Sequence, residues 1–185
     1  MPEPSRDVPP PDVRCDEDTR VLIRALASSD GLRRKQARRC LVRAGEQVVP
    51  PLIEALGDKS PVIRTEAAEA LLYIASPSAA AALVEALADR EFGVRWLAAE
   101  ALIALKCDGI RALLEGVIGR SDSLWFRQSA HHVLHDHYCE KWREELRPVL
   151  EALSGRDADD TGPVAAGEVL RRMAAEGAPG HAGLD

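Results

Sequence analysis

Aromatic residues make up only 4% of this 185-residue chain, while Ala and Leu dominate the apolar 46%. That balance argues against a sheet of β-branched and aromatic residues and suits short helices packed closely together. Long apolar runs are also missing. A stretch such as SPSAAAALVEALA is broken by Glu and Arg well short of the roughly 20 residues a membrane span needs. Paired cysteine motifs are absent, since Cys15, Cys40, Cys107 and Cys139 lie far apart, and the opening MPEPSRDVPPPDV holds no apolar stretch of the signal-peptide kind. The expectation is a cytoplasmic protein with free thiols. No GxSxG, HExxH or phosphate-binding glycine loop occurs, which removes the commonest hydrolase, zinc-protease and nucleotide-binding signatures. A net charge of −6 disfavours nonspecific attachment to nucleic acid or anionic lipid.

What the chain does have is repetition. A short motif recurs as LIRAL from Leu22, LIEAL from Leu52, LVEAL from Leu83, LLEGV from Leu113 and VLEAL from Val149, at offsets of 30, 31, 30 and 36. A second motif follows each one: LRRKQARRCL from Leu32, VIRTEAAEALL from Val62, VRWLAAEALIAL from Val94, FRQSAHHVL from Phe126 and, more loosely, VAAGEVL from Val164. Each unit is therefore a pair of helices. Within the third, Val94, Ala98, Ala101, Leu102 and Leu105 form one apolar stripe, and Ala99 and Ile103 widen it toward a neighbouring unit. The segments Gly57–Pro61 and Ala75–Ser78 carry the Gly, Ser and Pro of helix ends, and Pro50 and Pro51 suit a first turn. One such pair cannot bury its own apolar faces, and stacking does so.

The expected fold is all-α: a right-handed α-solenoid of about five helical hairpins, spanning 16–46, 47–76, 77–107, 108–139 and 140–176. Residues 1–14, with their prolines, and the tail from Gly177 are expected to be disordered. SGRDADDTG at 154–162 reads as an acidic loop before a last capping helix. Pro148 places the start of a helix near Arg147.

The pattern of Asp, five residues, Arg and then AAEAL, at Asp58 to Arg64 and at Asp89 to Arg95, resembles the HEAT-like repeats of phycobilisome-lyase type. The resemblance covers residues 20 to about 140 well and 147–176 weakly. It implies a ladder of hydrogen bonds between successive repeats through Asp58, Arg64, Asp89 and Arg95, frayed where Arg34 has only Ser28 at the Asp position and where Asp122 lies one place off register with Arg127. A buried guanidinium also needs a carboxylate on physical grounds. HEAT-like deoxyhypusine hydroxylases carry iron-binding His-Glu pairs where this chain has Thr65-Glu66 and Trp96-Leu97, so that chemistry is not expected. No residue argues for lyase activity.

HHVLHDHYC places His131, His135 and Cys139 at i, i+4 and i+8, a spacing from which a metal could be held. The competing reading is a polar repeat junction, because His131 and His135 take the places of Ala68 and Leu72, and no fourth ligand converges. Arg20 to Glu46 carries a local charge of +6 against −12 for the rest. That block reads as a solvated end unit rather than a nucleic-acid surface, since the acidic Glu69 and Glu100 alongside would repel phosphate. The second helices of such repeats line the inner curve. There Arg39, Glu69, Glu100 and His132 form one row, and Tyr73 belongs to the next. Trp96 stands where an ordinary unit would have a polar residue, as interface anchors do. The expectation is a monomeric, non-enzymatic scaffold binding a protein or peptide through Trp96, Glu69, Glu100, His132, Tyr73 and Arg39, without cofactor or metal. The rivals are an accessory enzyme, either chromophore-lyase-like or a His/Cys metalloprotein, and nucleic-acid binding through the first unit.

Overall fold

The computed structural model describes residues 14–120, 122–136 and 142–177. The two terminal segments expected to be disordered lie outside these, apart from Arg14 and Gly177. Among the described residues there are ten α-helices and no strand. They are α1 (Thr19–Ala25), α2 (Gly31–Ala44), α3 (Val49–Leu56), α4 (Pro61–Ile74), α5 (Ala80–Ala86), α6 (Phe92–Ala104), α7 (Cys107–Arg120), α8 (Leu124–Asp136), α9 (Arg143–Ser154) and α10 (Ala158–Gly177).

Local chemistry sets the helix ends. Asp18 and Asp30 cap α1 and α2 by accepting from the backbone N–H of Arg20 at 2.7 Å and of Leu32 at 2.9 Å. Pro61 occupies the first turn of α4, where its missing N–H costs nothing. The helix then stops at Ala75, which adopts a left-handed conformation with φ 53°.

Through α8 the helices stack in two layers, odd-numbered and even-numbered, each hairpin packing on the next to give an α-solenoid. The even layer is the tighter. Its buried faces are small: Ala67, Ala68 and Ala70 of α4 and Ala98, Ala99 and Ala101 of α6 are all at most 1% exposed. Small faces let helices approach one another closely. In α7, Gly116 sits so close to α5 that a Cβ would lie 2.3 Å from Val84 Cγ1.

Three expectations change. The last hairpin is exchanged: α9 packs on α8, while α10 lies along α7 in the odd layer. An amphipathic stripe shows that a helix is covered without showing by which neighbour. Helix α9 begins at Arg143 with Pro148 inside it, and α10 begins at Ala158, so the expected loop at 154–162 is mostly helix. Finally, the cysteines among the described residues are not free thiols. Cys15 is joined to Cys40 across a sequence separation of 25, and Cys107 is also disulfide-bonded. Sequence spacing could not show this, because the fold brings the two Cα atoms to 4.7 Å.

Candidate functional site

The even layer carries a row of arginines in repeat register. Arg34 donates from Nη1 to the carbonyls of Ser28 and Ser29 at 2.7 and 3.2 Å. Arg64 does the same with Asp58 and Lys59 at 2.9 and 3.2 Å, and Arg95 with Asp89 and Arg90 at 2.7 and 3.2 Å. Each guanidinium thus closes the turn before its own helix, leaving its Nε–Nη2 edge to face the next repeat.

That edge finds a carboxylate at the first two joints. Arg34 Nε donates to Glu66 at 3.1 Å. Arg64, only 7% exposed, forks from Nε and Nη2 onto both oxygens of Asp89 at 2.7 and 2.9 Å. This bidentate bond raises the Arg64 pKa above its usual value despite the opposing effect of burial. Arg127 also pairs with a carboxylate, that of Asp159 in α10, but from Nη1 at 2.5 Å. The ladder is therefore real: the Arg64–Asp89 rung is as expected, while Asp58 and Arg95 play other parts. Asp58 contributes its backbone carbonyl, while its side chain accepts from Ser60 N–H at 2.7 Å. Glu66 serves the first joint.

Arg95 differs. Among the described residues no carboxylate meets its Nε–Nη2 edge, and its guanidinium carbon lies 5.0 Å from the Trp125 ring centroid and 5.7 Å from that of Phe92. The fourth repeat offers Ser129 where the second has Glu66, and Ser121, outside the described residues, where the third has Asp89.

Beside Arg95, Trp96 is 46% exposed and stacks on His132 with ring centroids 4.8 Å apart. His132 is held from both sides, its Nε2 3.1 Å from Glu100 and its Nδ1 2.9 Å from Asp136. Asp136 also meets His135 Nδ1 at 2.7 Å. The contact with His135, followed by the attraction of His132, holds the Asp136 carboxyl below its usual range. Two open grooves flank the Trp96–His132 stack. One, of about 310 Å³, is bordered by Phe92, Arg95, Trp96 and Gln128 over a floor of Ala99 and Ser129. The other runs past Glu100 and Asp136 toward Arg143 of α9.

Of the six residues singled out from sequence, Trp96, Glu100 and His132 form this cluster. Glu69 does not join it, being paired with Arg38 at 2.8 Å across the first joint. Arg39 on α2 and Tyr73 near the end of α4 are exposed and line neither groove. Arg38 also pairs with Glu66, so part of the basic block is neutralised internally. His131 and His135 stack at 6.3 Å, but His135 is exposed rather than turned into a repeat joint, and Cys139 lies outside the described residues. No group of three or more His, Cys, Asp or Glu among the described residues is arranged to hold a metal ion. The sequence placed Arg95 in the ladder but not in the site, and Phe92 was not singled out. The signal was there for Arg95, in a ladder arginine followed one repeat later by serines at the carboxylate positions.

Residues 19–103, from α1 almost to the end of α6, match a family described as HEAT repeats. No curated protein matches the chain. No described helix is long and apolar enough to cross a membrane.

Proposed function

We propose that the protein is a non-enzymatic scaffold that binds a polypeptide segment across the even layer, between α6 and α8. HEAT repeats commonly serve as protein-interaction scaffolds, and the match over 19–103 is to that class. The likeness to the phycobilisome-lyase type rests on the Asp–Arg–AAEAL pattern alone, and no residue of the grooves argues for lyase chemistry. The observation that carries the reading is Trp96, a large half-exposed ring held in one orientation by its stack on His132 between two open grooves. Rigid aromatic anchors of this kind dominate binding energy at interfaces because they bury much area at little entropic cost. The exposed Tyr73 one repeat away extends the surface. Nucleic acid is the weaker reading, since Arg34 and Arg38 already face Glu66 and Glu69.

The test is selection of binders from a displayed random peptide library on the whole protein. Replacing Trp96 by Ala should weaken the selected peptides by roughly 30-fold, about 2 kcal/mol, without changing helicity or the melting curve. The same replacement at Arg111, exposed on α7, should have no effect on binding. Equal affinities for the two variants would place binding elsewhere.

A further inference from the structure

The arginine ladder has one open rung, and that rung borders the proposed binding groove. We infer that Arg95 takes its missing carboxylate from the partner: an acidic side chain of a bound polypeptide docks on the Nε–Nη2 edge of Arg95 while its apolar neighbour rests against Trp96 and Phe92. This rests on the polypeptide-binding reading above and names the chemistry of the segment bound.

The chain itself supplies the precedent. Arg34 and Arg64 each turn the outer side of the guanidinium to a Glu or Asp of the next repeat, and Asp89 shows that an aspartate suffices to engage both Nε and Nη2. Arg95 makes the same turn-closing bonds to Asp89 and Arg90, so its guanidinium is already fixed by the same means. Its plane lies against Trp125, which leaves the edge rather than the face for a ligand. A planar carboxylate matches that fork of two donors. A phosphate dianion fits less well, because Glu100 and Asp136 lie along the same surface. The groove is open along its length, with Ala99 and Ser129 as its floor, so it suits a side chain projecting from a longer chain rather than a small molecule needing enclosure.

The decisive variant fills the rung from within. Ser129 follows Arg127 by two residues, as Glu66 follows Arg64, and Glu66 reaches back to Arg34. Ser129→Glu should therefore reach Arg95, raise the melting midpoint by about 2–4 °C, and block the site without altering Arg95 or Trp96. Binding is followed in the ¹⁵N-labelled full-length protein through the Arg95 Nε–H signal, assigned by its loss in Arg95→Lys, and through the indole N–H signals. The probes are the capped peptide acetyl-Leu-Asp-Leu-amide, its Asn counterpart, acetate alone and inorganic phosphate alone. The Asp peptide should shift the Arg95 signal saturably, and the Asn peptide should bind at least roughly tenfold more weakly. Ser129→Glu should abolish the shift. An Asn peptide that binds equally well, with Trp96 still required, overturns the carboxylate assignment and leaves the groove as a peptide site. Acetate or phosphate binding as tightly as the Asp peptide reduces Arg95 to a small-anion site and overturns the polypeptide assignment. Undiminished binding of the Asp peptide by Ser129→Glu, or no shift with any probe, removes the site altogether.

Discussion

Asp136 is the residue whose ionisation the structure perturbs most legibly. Its carboxylate meets His135 and His132, and its pKa falls below the ordinary 3.8. A group whose pKa is lower in the folded state contributes stability in full above its unfolded value and loses it as pH drops through the folded one. Asp136→Asn should therefore lower the urea midpoint at about pH 6, and the gap to the wild type should close as the pH falls below about 3.8. A gap that stays constant down to about pH 2.5 would show that the carboxylate charge contributes nothing there. Legibility at this scale was uneven. The exposure of Trp96 and its grouping with Glu100 and His132 followed from helical register, because equivalent positions of stacked helices become neighbours. The isolation of Arg95 did not, since it depends on which carboxylate of an adjoining repeat comes within reach. Glu69 shows the converse: its surface position was correct, but Arg38 claims it.

At the scale of helices, α7 shows how backbone approach decides where a side chain is tolerated. A Cβ at Gly109 would lie 2.0 Å from the carbonyl oxygen of Leu102, backbone that cannot swing aside, whereas at Gly119 nothing lies within 4 Å. Gly109→Ala should then destabilise by about 1–3 kcal/mol through overpacking. Gly119→Ala, on the exposed side of the same helix, should stabilise by up to about 1 kcal/mol because Ala is the better helix former. Denaturant melts of both variants decide it, and a loss of stability at Gly119 as large as at Gly109 would contradict the packing described. The hairpins were legible because the LIEAL-like and AAEAL-like motifs mark buried stripes at a fixed period. The exchange of α9 and α10 between layers was not, because the buried Ala166, Val169 and Met173 would read the same whichever helix covers them.

For the whole molecule, the weak point of any stack is its end, where a repeat has a neighbour on one side only. Here the first repeat carries a covalent tie: Cys15, just before α1, is bonded to Cys40 inside α2. Closing a loop of that size should contribute about 3 kcal/mol by restricting the unfolded chain. Cys15 is exposed while Cys40 is only 3% exposed, so a dithiol reductant can reach the Cys15 sulfur but must expel a thiolate into an apolar surround. The bond should accordingly resist reduction in the folded protein and yield quickly once urea opens the first repeat. The staple overturns the expectation of free thiols at Cys15 and Cys40. Cys15→Ser should lower global stability by about 3 kcal/mol, or melt the first repeat ahead of the others, with hydrogen exchange in α1 and α2 rising first. Since Trp96 lies two repeats away, peptide binding at the α6–α8 groove should survive in that variant. Unchanged stability in Cys15→Ser, or reduction as fast in buffer as in urea, would show that the disulfide does not hold the end of the stack.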